Sequence, residues 1–436
     1  MSAVASPLCR RRSVQLKGNA NRDRVPRLKH YTSFKQTCRA QYVSYGALPA
    51  CGPERRQWKP YGASTEFEAT MQNRVGAQEI SKSHVFLTGS TGTIGRLWVP
   101  LLLEADPQRE LTVLVRDAGK ASKHPRVSAI VGDLRLPRLG LARPVWDRLA
   151  GSITDIVHSG ADIRFNRPIE EARATNTEGT RVMLALAREV KELRGFAFIS
   201  TAYIMGRDSG ELGESEYSNR AGFVNTYEES KYEGEAAVLA SMDEIPAAIF
   251  RLSSVAGEGA SYLRQALRMI PHNRFPMIPA LPMARVDLIG EHWAVAALDA
   301  LFERHFRPGA IFNICAGKRG SIPVGRLVEM AFSSLGARQP SMVTLERFER
   351  FAEIFLSSGA REVDKIMLGS VSQFLPHLAL DQTFQNEATM ALLRHEGIEQ
   401  VDSVEVFGRV LTSVVSKLSS DAVSARKAVP AGEAVW

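Results

Sequence analysis

A tyrosine and a lysine four positions apart, Tyr227 and Lys231 in "NTYEESKYEGE", carry the clearest chemistry in the chain. On a helix this spacing puts both side chains on one face. Reducing a carbonyl takes a proton as well as a hydride. A phenol with its ordinary pKa of about 10 is a poor proton-transfer group at neutral pH until a nearby ammonium stabilises its phenolate. Lys231 supplies that ammonium in this reading and also holds a cofactor ribose. Upstream, "FAFISTAYIMG" closes an apolar run with Ser200 and Thr201, and the Thr201 hydroxyl is the expected group for polarising a substrate oxygen. Tyr-x-x-x-Lys alone is a short pattern, equally compatible with an exposed tyrosine beside a surface lysine. The surrounding elements decide between the two.

The first of those elements is the glycine-rich stretch "HVFLTGSTGTIGRLW", His84 to Trp98. Glycine weakens regular structure, so Gly89, Gly92 and Gly95 at fixed spacing between a strand and a helix mean that backbone is wanted there. The pattern is a dinucleotide fingerprint. Gly89 permits the tight turn, Gly92 lets a pyrophosphate approach backbone N–H groups, and Gly95 allows close helix–strand packing. Thr91, Thr93 and Ile94 belong to the same phosphate-binding turn, and the helix N-terminus adds partial positive charge. At the end of the next strand, "TVLVRDAGK", Arg116 stands where an NAD site usually has an acid. A guanidinium there pairs with a 2′-phosphate, which favours NADP (NADPH); a solvated surface arginine beside Asp117 is the plain alternative.

Apolar runs at 84–88, 111–115, 127–131, 153–157, 195–200 and 246–250 read as buried strands, alternating with helical segments such as 170–190 and 225–241. Continuous apolar strands alternating with helices imply a parallel sheet covered on both faces, an α/β doubly wound Rossmann-type fold. Its ligands then bind beyond the strand C-termini. Near residue 258 the rhythm fails. Pro271, Pro276, Pro279 and Pro282 follow in close succession and helical segments dominate afterwards. The expected organisation is a leader over 1–80, an NADP-binding domain over 81–258 and a smaller, mainly helical substrate lobe over 259–436.

The net charge of +8 is confined to the leader: residues 1–60 hold 13 Lys and Arg against Asp23 and Glu54, a balance of +11 that leaves −3 for the rest. That distribution removes the case for nucleic-acid binding by the fold. Rich in Arg and hydroxylated residues and without an apolar core, the leader reads as a plastid or mitochondrial transit peptide, or else as a disordered extension or an upstream start. No apolar run reaches the roughly 18 residues of a membrane span, the best being interrupted by Asp299. Cys9, Cys38 and Cys51 lie in the leader and the body has only Cys315, so a reducing compartment is expected, the cytoplasm if the leader is not a transit peptide. The nine histidines form no HExxH pair or tight cluster, so no metal is expected. The aromatics of "RFERFAEIF" (347–355) read as lobe packing, and the charges around 188–194 as a solvated helix face.

Taken together, these motifs resemble an extended short-chain dehydrogenase/reductase, and most closely the branch of fatty acyl-CoA reductases ("male sterility" proteins) and thioester reductase domains. The resemblance runs from about 84 to 320. It rests on "TGSTGTIG", the Arg116 strand end, "GDL" (132–134), "HSGADIRF" (158–165), "NTEGT" (176–180), "STAYIMG", "YEESK", "RLSSVAGE" (251–258) and "FNICAG" (312–317). It implies that Asp133, with Leu134, contacts adenine, that Ala161 lines the cofactor groove, and that Asn176 supports a proton relay beside Thr201, Tyr227 and Lys231. Gly160 and Asp162 stand where the branch more often has small apolar residues.

The implied activity is NADPH-dependent reduction of an acyl thioester, on coenzyme A or a carrier protein, to aldehyde or alcohol. Two alternatives remain: an extended short-chain dehydrogenase acting on a sterol-, flavonoid- or sugar-nucleotide-like ketone or alcohol, and a non-catalytic dinucleotide sensor. Within 268–290, Met269, Ile270, Phe275, Met277, Ile278, Leu281 and Met283 are candidates to line a long apolar slot, or simply to fill the junction between lobes.

Overall fold

The computed structural model describes residues 82–215, 217–218, 220–257, 262–272, 276–371 and 375–428. The basic leader, its transit-peptide reading, Glu258 and Phe275 lie outside the described residues.

All six apolar runs form strands of one sheet, their ends displaced by a residue or two. They are β1 (His84–Thr88), β2 (Glu110–Val115), β3 (Val127–Val131), β4 (Asp155–His158), β5 (Gly195–Thr201) and β6 (Ala247–Leu252). A seventh, β7 (Ile311–Ile314), joins from far along the chain. The order is β7-β6-β5-β4-β1-β2-β3 and every pairing is parallel. Strand order reverses between β1 and β4, so a crevice opens beyond their C-terminal ends.

Central strands are covered on both faces, and every residue of β5 is buried. β3 departs from the expected burial: as the edge strand it has one neighbour, and Val131 is 57% exposed. Helix α1 (Thr93–Ala105) packs against α7 (Glu291–Arg304), with Trp98 edge-on to Phe302. The Trp98 indole N–H donates to Asp299 Oδ1 at 3.1 Å, which accounts for the acid interrupting that apolar run. On the other face, Trp146 and Leu149 of α2 (Arg143–Ser152) close over Phe196 and Phe198.

The helix expected over 170–190 is two: α3 (Ile169–Asn176) and α4 (Glu178–Glu189). Thr177 breaks it, its hydroxyl donating to the Ser230 carbonyl of α5 (Thr226–Leu239) at 3.0 Å. Helix α5 begins at Asn225, whose side chain accepts from the Glu228 N–H, a cap that fixes where the Tyr/Lys pair starts. It then buries polar side chains, Glu228, Ser230, Lys231 and Glu235, rather than an apolar stripe. Each has a partner, which is the condition for burying polar groups.

After α6 (Tyr262–Met269), the C-terminal part wraps the crevice with α8 (Val324–Ser334), α9 (Leu345–Ser357), α10 (Glu362–Val371), α11 (Glu387–His395) and α12 (Ser403–Ala428). Short parallel pairs, Met277–Pro279 with Ser341–Val343 and Gly210–Leu212 with Gln382–Phe384, tie it together. Among the described residues, no helix is long and apolar enough to cross a membrane.

Candidate active site

β1 delivers the chain to Gly89, whose φ of +80° is a left-handed conformation that glycine adopts freely. A Cβ there would lie 2.7 Å from the Ser159 carbonyl, and one at Gly95 would lie 2.3 Å from the Gly89 oxygen. Both contacts are with backbone, so turn and helix close onto each other only without side chains. Helix α1 has no side-chain cap and no acid in its first turn. Its leading N–H groups are therefore left for an anionic ligand. A dinucleotide pyrophosphate fits this cradle.

A single cleft of about 1190 Å³ continues from the cradle across the ends of β1, β2, β4 and β5 and into the C-terminal part. Gly89, Thr91, Gly92, Thr93, Ile94, Arg116, Asp133, Leu134, Ala161, Thr201, Tyr227 and Lys231 all line it. Gly95 and Asn176 do not; they support it from behind. Arg116 is exposed at the end of β2. The Asp133 carboxylate is paired with Arg135 (2.6 Å), whose hydrogen bonds hold its carboxyl below the usual range.

Thr201 ends β5, accepts from the Tyr203 N–H (3.3 Å) and donates to the Leu252 carbonyl (3.2 Å). Tyr227 comes from α5 to hydrogen-bond with Thr201. Burial pushes the Tyr227 phenol well above its ordinary range; the Thr201 hydrogen bond opposes this and the Glu228 charge adds to it. The Lys231 ammonium donates to the Ile199 carbonyl at 2.8 Å and sits 4.0 Å over the Phe198 ring. Burial lowers Lys231 to about 7, while Glu235 pulls it up. The phenol is thus held in its protonated form beside Thr201.

Asn176 is 1% exposed and its amide is fully engaged. Oδ1 accepts from the Asp162 N–H (2.7 Å), while Nδ2 donates to the Asp162 carbonyl (2.9 Å) and to Ser230 Oγ (2.9 Å). It pins the loop after β4 to α5, so its contacts are those of a positioning residue. That loop carries Phe165, whose ring lies 5.6 Å from Tyr227 and stacks at 4.4 Å on Tyr262 of α6.

Three features were not read from the sequence. Ser200 donates to Glu235, which forms a fully buried ion pair with Arg251 of β6 (2.6 Å). His377 pairs with Glu228 at 2.8 Å. The far wall of the cleft includes Val286, Leu288, Leu327, Phe332, Phe348 and Leu375. Glu228 and Glu235 stand in the quoted "NTYEESKYEGE", where burying so many acids was the available signal. His377 had none, since its approach depends on the path of the C-terminal chain.

Residues 120–289 match the model of the family described as male sterility protein. The chain is 26% identical over 245 residues to a putative fatty acyl-CoA reductase of Drosophila melanogaster, covering 43% of this chain and 45% of that protein. It is 34% identical over 188 residues to a hybrid PKS-NRPS synthetase of Penicillium citrinum, covering 40% of this chain and 5% of that protein. The chain thus spans less than half the length of either relative. Among solved structures, the terminal R domain from the myxalamid PKS-NRPS biosynthetic pathway superposes with a TM-score of 0.62 at 19% identity, covering 78% of this chain and 92% of that one. In fold, the chain is similar to this R domain, a parallel sheet flanked by helices.

Proposed function

We propose that the protein reduces an acyl thioester, carried on coenzyme A or a carrier protein, at the expense of NADPH. The observation that carries this reading is the continuity of the cleft: from Thr201 and Tyr227 it runs on into an apolar slot lined by Met269, Ile270, Met277, Ile278, Phe332 and Phe348. Leu281 and Met283, expected in the slot, are 40% and 83% exposed and take no part, because the chain turns outward there. Phe348, expected to pack only within its lobe, does both: it is buried against Leu368 and Leu375 and it faces the slot.

A reduced dinucleotide held by the Gly89–Gly95 turn would supply the hydride. Thr201 and Tyr227 then meet the substrate oxygen, and the neutral phenol donates to it as negative charge develops. Lys231, fixed by the Ile199 carbonyl, has remaining N–H groups that would hold a cofactor ribose. Phe165 and Tyr262 shield the phenol from water, and the apolar slot takes the acyl chain. The test is NADPH consumption with acyl thioesters of graded length. Brisk reduction of a cyclic ketone with none of thioesters would leave a simple dehydrogenase standing.

Two outcomes follow. Arg116, exposed at the end of β2, supports a preference for the 2′-phosphate, so Arg116→Ala should erase most of the difference in affinity between NADPH and NADH. Dinucleotide titration checks it, and equal affinities in the native protein would refute the assignment. In the slot, each buried methylene contributes about 0.8 kcal/mol, so kcat/KM should climb stepwise with chain length. Met277→Trp should cut that climb short; a flat profile in both proteins would count against the slot.

A further inference from the structure

The loop after β4 is bonded more tightly than shielding the phenol from water requires. Asn176 of α3 holds Asp162 by both backbone groups, the N–H at 2.7 Å and the carbonyl at 2.9 Å. The Tyr262 hydroxyl of α6 then ties the backbone on either side of Arg164. It donates to the Ile163 carbonyl and accepts from the Phe165 N–H, each at 3.3 Å. Further on, the Thr226 hydroxyl of α5 donates to the Arg167 carbonyl at 2.8 Å. Three helices thus fix the loop at both ends and in the middle.

The side chain so held is Phe165. Its half-buried ring lines the cleft, 5.6 Å from the Tyr227 ring and 4.4 Å from the Tyr262 ring, which lies nearly parallel to it. From there α6 continues the wall: Tyr262, Leu263, Ala266 and Met269 all line the cleft, and Met269 belongs to the apolar slot. Tyr262 to Met269 spans about 10 Å of helix. A ring on a free loop could step back for one more methyl group. Bonded on both flanks and stacked on Tyr262, Phe165 cannot, and a packed wall that does not yield disfavours added volume.

We propose that Phe165 sets the width of the site at the carbon next to the carbonyl, so that the protein takes acyl groups unbranched there; this rests on the thioester reading above. With the substrate oxygen at Tyr227, the acyl chain passes Phe165 and runs along α6 into the slot. A straight chain presents only hydrogens to the ring at its α-carbon. An α-methyl group meets the ring instead. Branching further along falls in the slot, where the unbranched side chains of Met269 and Met277 adapt. Phe165 touches the acyl group, and Tyr262 is a positioning residue that acts through it.

The experiment gives the full chain NADPH and three isomeric thioesters of coenzyme A: heptanoyl, α-methylhexanoyl, and hexanoyl with the methyl at its far end. Native kcat/KM should be about 10- to 100-fold lower for the α-methyl isomer than for heptanoyl. The isomer branched at its far end should stay within about threefold of heptanoyl. In Phe165→Ala the α-methyl isomer should also come within about threefold. Tyr262→Phe keeps the stacked ring but removes the hydroxyl that ties the loop, and should give an intermediate ratio. Ratios among isomers do not depend on how much of a variant folds, and Phe165→Leu serves should the alanine variant fail to fold. A native ratio near one, or a ratio unchanged in the Phe165 or Tyr262 variants, overturns the proposal and leaves the thioester reading in place. If the native protein reduces none of the three, the reading itself falls, and the role of Phe165 with it.

Discussion

Tyr227→Phe should leave NADPH binding intact and lower turnover by about 10²- to 10⁴-fold. The substitution removes one oxygen. It keeps the ring that packs against Phe165 at 5.6 Å and leaves Lys231 bonded to the Ile199 carbonyl. Burial holds the Tyr227 phenol neutral, so its loss removes a proton donor and also the hydrogen bond to Thr201. Lys231→Ala makes the useful contrast. Bonded to the Ile199 carbonyl, the lysine should act mainly through the ribose, so its loss should weaken dinucleotide binding along with turnover. Titration of NADPH against each variant, followed by kcat with a thioester, separates the two. Normal turnover by Tyr227→Phe would move the proton donor elsewhere in the cleft.

Glu235→Ala should cost about 3–5 kcal/mol of stability, the largest loss expected from any single truncation near the site. Arg251 is completely buried and donates to Glu235 Oε1 through Nε (3.0 Å) and Nη2 (2.6 Å). Removing the carboxylate leaves an uncompensated guanidinium between α5 and β6 and strips Ser200 of its acceptor. Replacing both partners is the informative control: Glu235→Met with Arg251→Met removes the charges together and should recover much of the loss. The readout is the denaturant midpoint of each variant. A Glu235→Ala midpoint unchanged from the native protein would mean that the pair contributes nothing. A lesser effect follows on the site, because the Glu235 charge supports the protonated form of Lys231. In Glu235→Ala, Lys231 should lose its proton at a lower pH than in the native chain.

Local rules carried the sequence reading a long way. The glycine turn, the strands on either side of it and the Tyr/Lys spacing are set by neighbours a few residues apart, where φ freedom and helical periodicity act directly. They suffice to put a dinucleotide cradle and a Tyr227/Lys231 pair at one sheet edge. Asn176 was legible as part of the site by resemblance, but its tight bonding to Asp162 and Ser230 depends on how α3 lies against α5. The state of the phenol could not be read at all. It follows from burial and from where the Lys231 ammonium finds its acceptor, and both belong to packing. β7 escaped notice for a related reason: four residues carry too little periodicity, and only pairing with β6 makes them a strand. His377 lies 149 residues beyond Glu228 in the chain, and the slot wall draws on α8 and α9. Such groups meet because the chain path closes over the crevice, and no local propensity encodes that meeting. Sequence by itself thus determined the glycine turn and the placing of Tyr227 and Lys231 on one helix. Tertiary structure decided how each group is buried and bonded and what lines the cleft, because desolvation and long-range contact exist only once the chain is packed.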